Sequence, residues 1–125
     1  MVSPQSFRPC FPLLLLKPQF GVPTPWAYSR WGSAKEIPGV DYQQQDHEGH
    51  SFINELERPV FEKFVFLARV KNWLLDQREV VVALMSGSGS TVFAVLHNPE
   101  DAGPLISRAK QELDPNLWTC ACTTM

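Results

Sequence analysis

The sequence predicts an α+β fold, a two-layer sandwich in which helices cover one face of a mostly antiparallel sheet. Residues 80–85 and 91–96 are apolar at almost every position, which is typical of strands buried on both faces. A helical spacing of apolar residues precedes this pair, and another follows it. With one short strand near each end, the predicted order is strand, irregular loop, long helix, strand, strand, helix, strand.

Composition and charge indicate a single globular domain. The chain has 125 residues, of which 44% are hydrophobic, and a chain of that size buries roughly two-thirds of its unfolded surface. The 11 Lys and Arg residues are balanced by 13 Asp and Glu without a like-charge run, so no nucleic-acid or anionic-membrane partner is expected. Three cysteines cannot form a disulfide framework and favour a reducing compartment, so we expect the cytoplasm.

The first third of the chain is proline-rich and predicted to be largely irregular, including the whole of residues 1–11. The aliphatic run at residues 13–16 predicts a short strand, and it is far shorter than the ~20 apolar residues of a membrane-spanning helix. Residues 26–31 are expected to form one or two helical turns. Residues 41–48 are polar and aperiodic, which predicts a mobile surface loop.

A long helix is predicted next, with Asn54 as the cap of its start and Pro59 at an early helical position. Its apolar stripe is wide, which favours packing on a sheet. The stripe comprises Val60, Phe61, Phe64, Val65, Leu67, Ala68, Lys71, Leu74 and Leu75. The two apolar strands that follow are both expected to be central strands of the sheet.

A second helix is predicted to begin at the Asn98-Pro99 signal and to end before Pro115. The chain then closes with a short strand at residues 117–122, in which Cys120 and Cys122 share one face and are expected to be buried thiols.

The most informative loop has the sequence Ser86, Gly87, Ser88, Gly89 and Ser90, between the two apolar strands. Small residues let the backbone approach a partner closely, and successive N–H groups beside serine hydroxyls can form a concave donor surface for an anionic group such as phosphate. A plain flexible turn is an equally good interpretation of the local pattern. The loop matches neither the Walker A motif nor the dinucleotide fingerprint.

A second candidate segment runs from Leu16 to Tyr28. Prolines on both sides of Thr24, the second of them Pro25, fix the loop, so the Thr24 hydroxyl and the Tyr28 ring are available to a ligand at small entropic cost. The Tyr28 ring can stack on a nucleobase. The alternative interpretation is a proline-rich strap that only packs on the core.

No metal site or catalytic residue is predicted. Four potential metal ligands lie close together in the sequence: Asp46, His47, Glu48 and His50. Their spacing does not match H-E-x-x-H, and the C-x-C pair at the end of the chain lacks the second pair of a zinc ribbon. His97 has no serine or carboxylate motif nearby with which to form a catalytic triad.

Three segments together resemble one enzyme family: F-G-V-P-T-P-W-A-Y at residues 20–28, N-E-L-E-R-P-V-F at 54–61 and M-S-G-S-G-S-T-V-F at 85–93. From about Leu13 to its end, the chain resembles the C-terminal domain of 4-diphosphocytidyl-2-C-methyl-D-erythritol kinases, which are small-molecule kinases of the GHMP superfamily. The resemblance implies a ferredoxin-like sandwich over residues 12–125.

The resemblance implies a phosphotransferase that uses ATP with Mg²⁺ to phosphorylate the 2-hydroxyl of the cytidyl-methylerythritol substrate in the non-mevalonate isoprenoid pathway. Thr24 and Pro25 match family positions at the cytidine end of the substrate, and Tyr28 matches the aromatic residue that flanks the base. Gly87 and Gly89 match the third glycine-rich motif, which shapes the floor of the active site near the phosphates.

The departure from the family pattern is that the amino-terminal domain, with its ATP loop, catalytic aspartate and catalytic lysine, has no counterpart here. Lys17 stands at a strand end, where nothing indicates a catalytic role. We therefore expect a fragment that needs an amino-terminal kinase half as its partner and that binds no ATP by itself. The alternative is a stand-alone ferredoxin-like module that binds a ligand or a partner without catalysis.

Overall fold

The structure is a computed structural model that describes residues 11–123, so residues 1–10 of the predicted irregular segment, Cys10 among them, lie outside the described part. Its strands and helices follow in the order β1 (Pro12–Lys17), α1 (Thr24–Arg30), β2 (Gln45–His47), β3 (His50–Phe52), α2 (Glu57–Lys63), α3 (Val65–Leu75), β4 (Val80–Met85), β5 (Val92–Leu96), a short 3₁₀ helix (Pro99–Asp101), α4 (Ala102–Glu112) and β6 (Trp118–Thr123). No helix among residues 11–123 is long and apolar enough to cross a membrane.

The main sheet has the strand order β4-β5-β1-β6, and every neighbouring pair is antiparallel. β1 therefore lies in the middle, with Leu14 opposite Ala94 on one side and Ala121 on the other. The chain reaches this order by two crossings, α2 with α3 between β1 and β4, and α4 between β5 and β6. This topology confirms the predicted α+β sandwich and its ferredoxin-like strand order.

The two faces of the sheet are covered differently. The face toward the helices forms the main core, in which Leu14 and Leu16 of β1 pack with Leu67 of α3 and Leu105 of α4, all of them fully buried. The opposite face holds a small cluster of Phe11, Val82 and Val95, against which Phe52 and Phe93 pack. Apolar positions on both faces of β4 and β5 thus have partners, as the sequence pattern predicts.

The prediction that residues 80–85 form a central strand is wrong, since β4 lies at the edge of the sheet. Side chains replace the missing strand along this outer edge. The Gln45 amide donates to the Ala83 carbonyl (2.7 Å) and accepts from the Ala83 N–H (3.2 Å). The Met85 N–H donates to Glu57 Oε2 (2.9 Å), while Asn54 Nδ2 donates to the Met85 carbonyl (2.8 Å). Because these side chains pair with its outward backbone groups, β4 can lie at the edge of the sheet although its sequence is apolar throughout, as in a strand buried on both faces.

The prediction of a single long helix that begins at Asn54 is also wrong. Helix α2 begins at Glu57, and Phe64 leaves the helical region at φ −107° and ψ 71°, so α2 and α3 are separate. The break lets the Phe64 ring stack on Phe20 at 5.3 Å between centroids and meet Trp26 edge-on at 5.8 Å. Tertiary aromatic packing has overridden a continuous helical pattern.

The polar segment predicted as a surface loop contains a β-hairpin, made of β2 and β3. Its turn has positive φ at both Glu48 (49°) and Gly49 (80°), as a tight two-residue hairpin turn requires. The buried-thiol prediction fails for Cys122, which is exposed, while Cys120 is partly exposed. β6 is the other edge strand of the sheet, and most of its residues are exposed, which the local pattern does not reveal.

A buried ion pair joins the helices to the outer edge of β4. Lys71, predicted on the apolar stripe, is fully buried, and its Nζ lies 2.7 Å from Glu57 Oε1 and also donates to the Asp41 carbonyl. Burial raises the pKa of Glu57, against the opposing attraction of Lys71 and the Met85 hydrogen bond. α2, α3, β4 and the chain before the hairpin thus meet at one charged cluster.

Replacing Lys71 by methionine should destabilise the fold strongly near neutral pH. The variant keeps much of the side-chain volume but leaves the Glu57 carboxylate buried without its cation, so the free energy of unfolding should fall by about 3–5 kcal/mol at about pH 7. Loss of Lys71 raises the pKa of Glu57 in the folded variant further. The contribution of Glu57 to stability is therefore fully present below the pKa of this carboxyl in the unfolded chain, and it is lost as pH rises through its pKa in the folded protein. Denaturant unfolding should therefore show a smaller penalty at about pH 4.5 than at about pH 7.

Arg58→Met is the matched control, because the 3.0 Å Arg58–Glu36 pair is about half exposed on both sides. It should change the free energy of unfolding by less than about 1 kcal/mol. A Lys71→Met penalty that matches this control, or that does not grow with pH, would contradict the assigned role of the buried pair.

Candidate functional site

The glycine-rich loop, residues 86–90, connects β4 to β5 and is shaped by its own backbone. The Ser86 N–H donates to the Thr91 carbonyl (2.8 Å), and the Gly89 N–H donates to the Ser86 carbonyl (3.0 Å). Gly87 and Gly89 have φ of 56° and 96°, values that residues with a side chain rarely adopt. The loop is therefore a defined turn, and its two glycines are required by its backbone conformation.

The structure brings the two predicted site segments into contact. Thr24 is the first residue of α1, and its Oγ1 lies 2.9 Å from Ser88 Oγ, a hydrogen bond that either hydroxyl can donate. Thr24 and Pro25 are both exposed, and Ser88 is partly exposed. Residues that are 64 positions apart in the sequence thus share one surface.

Two further hydrogen bonds hold the glycine-rich loop, and Gly89 is closely packed. The buried Ser90 hydroxyl donates to the Phe20 carbonyl at 2.5 Å, and Asn54 Nδ2 donates to the Gly87 carbonyl at 2.6 Å. At Gly89, an added Cβ would lie 3.1 Å from the Met85 sulfur, with Val22 and Leu67 close behind. The loop is packed where Gly89 lies and open where Gly87 lies.

Tyr28 lines an open groove, and Asn54 of the same groove is hydrogen-bonded to the glycine-rich loop. The Tyr28 groove, with a volume of about 600 Å³, is lined by Tyr28, Trp31, Ile53, Asn54, Glu55 and Leu56. Tyr28 is 65% exposed and Trp31 51%, whereas Ala27 of the same helix is buried. Helix α1 therefore packs on the core through Ala27, whereas the rings of Tyr28 and of Trp31, directly after the helix, are exposed to solvent. The exposure of Tyr28 disfavours the strap interpretation for this residue.

A second concavity of about 850 Å³ adjoins the loop at the ends of β1 and β6, where Lys17, Ser86 and Thr91 are among its lining residues. The Lys17 ammonium donates to the carbonyls of Pro18 and Phe20, so it is turned toward the backbone. Trp118 lines the same concavity and is 54% exposed. The glycine-rich loop borders this concavity. Asn54, which lines the Tyr28 groove, connects the loop to that groove.

The metal-ligand candidates have structural partners in the hairpin. Asp46 accepts hydrogen bonds from Gln44 and Ser51, both at 2.9 Å, and these bonds lower the pKa of its carboxyl. The His47 and His50 rings lie 5.5 and 5.4 Å from the Phe11 ring. Within the described range there is no group of three or more His, Cys, Asp or Glu side chains placed to hold a metal ion.

Sequence reasoning missed Asn54 as a site residue. It lies in one of the three segments that carry the resemblance, but the helix-cap interpretation accounted for it. In the fold, Asn54 lines the Tyr28 groove and donates to both Met85 and Gly87, at the entry to the glycine-rich loop. Only its distance from residues 85–87 in the sequence concealed this, since no local pattern reports a contact across more than 30 residues.

Comparison with known proteins identifies the class. Residues 43–114, more than half of the chain, match the family described as GHMP kinases C terminal, and the chain belongs to this family. The match spans the hairpin, α2 to α4 and the glycine-rich loop. It confirms the superfamily indicated by the sequence.

Within that class, the relatives share one name. The chain is 37% identical over 107 residues to 4-diphosphocytidyl-2-C-methyl-D-erythritol kinase of Methylacidiphilum infernorum, which covers 84% of this chain and 37% of the relative. The same-named protein of Desulfitobacterium hafniense is 33% identical over 115 residues, covering 85% of this chain and 39% of that protein.

A solved structure agrees. A crystal structure of 4-(cytidine 5′-diphospho)-2C-methyl-D-erythritol kinase matches with a TM-score of 0.66 at 26% identity, over 92% of this chain and 43% of the other. This match confirms the predicted fold as that of the C-terminal part of such kinases. The chain spans about two-fifths of the length of the proteins that it matches.

Gly89→Ala should destabilise the protein through the glycine-rich loop. An alanine at φ 96° is strained, and its Cβ would press on the Met85 sulfur at 3.1 Å, so we expect the free energy of unfolding to fall by about 1–2 kcal/mol. Gly32→Ala is the control, because Gly32 has no positive φ and an added Cβ there meets nothing within 4 Å, and it should change the free energy of unfolding by less than about 0.5 kcal/mol. Thermal or denaturant unfolding measures both, and equal effects of the same sign would contradict the assigned loop geometry.

Proposed function

We propose that this chain forms the substrate-binding part of a 4-diphosphocytidyl-2-C-methyl-D-erythritol kinase, an enzyme that transfers a phosphoryl group from ATP to the 2-hydroxyl of the cytidyl substrate in the non-mevalonate isoprenoid pathway. The observation that carries the proposal is the 2.9 Å contact between Thr24 and Ser88. It joins two of the three segments whose sequence resembles the kinase family, and the first of them also supplies the exposed aromatic ring of the Tyr28 groove.

The cytidine end of the substrate is proposed to lie in the Tyr28 groove. Pro23 and Pro25 hold the start of α1, so the Thr24 hydroxyl is positioned before a ligand arrives. The Tyr28 ring, which is 65% exposed, stacks on the base. Stacking of a base on an aromatic side chain contributes about 1–3 kcal/mol, enough to place the nucleoside.

The diphosphate is proposed to run toward the glycine-rich loop. Backbone N–H groups and serine hydroxyls in a turn with positive φ at Gly87 and Gly89 suit an anionic ligand. Phosphoryl transfer depends largely on positioning and on stabilisation of charge, so a rigid loop at this point contributes through its backbone geometry. In this proposal Ser86, Ser88 and Ser90 serve the loop as hydrogen-bonding side chains, and none of them is a nucleophile.

We propose that ATP, with Mg²⁺, binds to the part of a complete kinase that this chain does not represent. That part carries the ATP loop, the catalytic aspartate and the catalytic lysine, and this chain alone is proposed to bind neither ATP nor Mg²⁺. No step proposed for residues 11–123 involves a metal ion. We propose that residues 12–125 correspond to the C-terminal domain of such a kinase. We propose the cytoplasm as the location of the assembled enzyme.

The 125-residue chain by itself should show no phosphotransfer above background with ATP and the cytidyl substrate. Joined to the part of the Methylacidiphilum infernorum kinase that precedes its matched region, the chain should restore turnover, because it supplies the substrate-binding surface. Product formation in a coupled phosphotransfer assay measures both preparations. A folded but inactive chimera would favour the alternative, a ferredoxin-like binding module, and activity of the chain alone would contradict the proposed division of roles.

Tyr28→Ala in the active chimera should raise KM for the cytidyl substrate at least about fivefold, since the loss of one stacking contact of about 1–3 kcal/mol corresponds to that factor or more. Tyr28→Phe is the matched control, because it keeps the ring and loses only the hydroxyl, and its KM should stay within about threefold of the parent. Equal KM values for Tyr28→Ala and the parent would rule out the proposed stacking.

A further inference from the structure

Asn54 uses its whole side-chain amide to join three backbone groups. Its Oδ1 accepts the Leu56 N–H at 3.0 Å, and its Nδ2 donates to the Met85 carbonyl at 2.8 Å and to the Gly87 carbonyl at 2.6 Å. Both amide hydrogens are thus directed at carbonyls two residues apart, where β4 ends and the glycine-rich loop begins. The side chain closes the turn into the loop from outside the strand.

The chemistry of this contact suits asparagine in particular. An amide offers two donors and an acceptor at fixed angles, whereas a carboxylate offers acceptors only and a serine hydroxyl offers one donor on a shorter stem. An exchange of the amide oxygen and nitrogen would set the oxygen against both carbonyls and the NH₂ group against the Leu56 N–H. The three partners therefore determine the orientation of the Asn54 amide.

Asn54 also lies on the wall of the Tyr28 groove, between Ile53 and Glu55, which line it as well. The other loop contacts, Thr24 with Ser88 and Ser90 with Phe20, come from the segment before and at the start of α1. Asn54 is the contact made from the segment before α2. The groove and the loop are therefore built on one shared side chain.

We propose that Asn54 is a positioning residue, which holds the glycine-rich loop so that Ser88 meets Thr24 and the loop faces the Tyr28 groove. The consequence for a ligand rests on the proposed function: with Asn54 removed, the diphosphate and the nucleoside of the substrate lose their fixed relative placement. Asn54 contacts backbone, and its effect on the substrate is transmitted through the loop.

The test uses the full 125-residue chain with three substitutions. Asn54→Asp is isosteric and keeps the acceptor for Leu56 but turns both donors into acceptors, and Asn54→Ala removes all three contacts without adding charge. Asn72→Asp is the control, because Asn72 Nδ2 also donates to a backbone carbonyl, that of Gly39, at 3.2 Å and away from the loop. The readouts are the ¹H–¹⁵N NMR cross-peaks of the glycine-rich loop and the hydrogen exchange of the Gly89 amide.

Both Asn54 variants should shift the Gly87, Ser88 and Gly89 cross-peaks and speed exchange of the Gly89 amide at least tenfold, while amides of the β1–β5 pair change less than about twofold. Asn72→Asp should leave all of these peaks in place. In the active chimera, Asn54→Ala should lower kcat/KM for the cytidyl substrate by about fivefold, the factor expected for the loss of roughly one net hydrogen bond.

Unchanged loop peaks in Asn54→Ala would overturn the inference, whatever the activity. Should Asn54→Asp fail to fold, Asn54→Ala decides, and a collapse of the whole spectrum in Asn54→Ala would also overturn it, because the role would then be one of general stability. Loop peaks that shift while the unsubstituted chimera is inactive would support the positioning role of Asn54 and count against the proposed kinase function.

Discussion

The fold depends on how the outer edge of β4 is satisfied. An apolar strand at the end of a sheet exposes backbone N–H and C=O groups that water or another strand must pair. In this protein Gln45, Asn54 and Glu57 provide those partners for Ala83 and Met85. All three side chains come from the segment inserted between β1 and α3, so the insertion completes the sheet without adding a strand to it.

The side-chain hydrogen bonds at the outer edge of β4 also connect the stability of the fold to the candidate site. Glu57 can accept the Met85 N–H as a buried carboxylate only because Lys71 lies 2.7 Å away, and burial of an unpaired charge is strongly unfavourable. The carbonyl of the same Met85 accepts a hydrogen bond from Asn54 Nδ2, which also donates to the Gly87 carbonyl. Met85 thus connects the charged cluster in the core to the glycine-rich loop at the surface. The loop begins at a residue whose backbone N–H and carbonyl are both hydrogen-bonded to side chains.

Much of this could be predicted from the sequence, where the pattern is local. Alternation, apolar runs and proline or glycine signals correctly give β1, β5, α4 and the order of the four strands of the main sheet along the chain. The failures share a cause. The break at Phe64 brings its ring to those of Phe20 and Trp26, and the hairpin at Glu48 packs through Phe52 on the cluster at the main sheet. Local patterns carry no information about such distant partners, and Asn54 escaped notice as a site residue for the same reason.

The sequence by itself determined the fold class, the family and the two segments that carry the candidate site, since each depends on residue types at short spacing. Only the tertiary structure decided that Thr24 meets Ser88, that Tyr28 faces an open groove and that β4 is an edge strand. These facts depend on how β1, α1 and the β4–β5 hairpin are placed relative to one another. That placement is set by packing and hydrogen bonds between residues far apart in the chain, which short-range patterns do not encode.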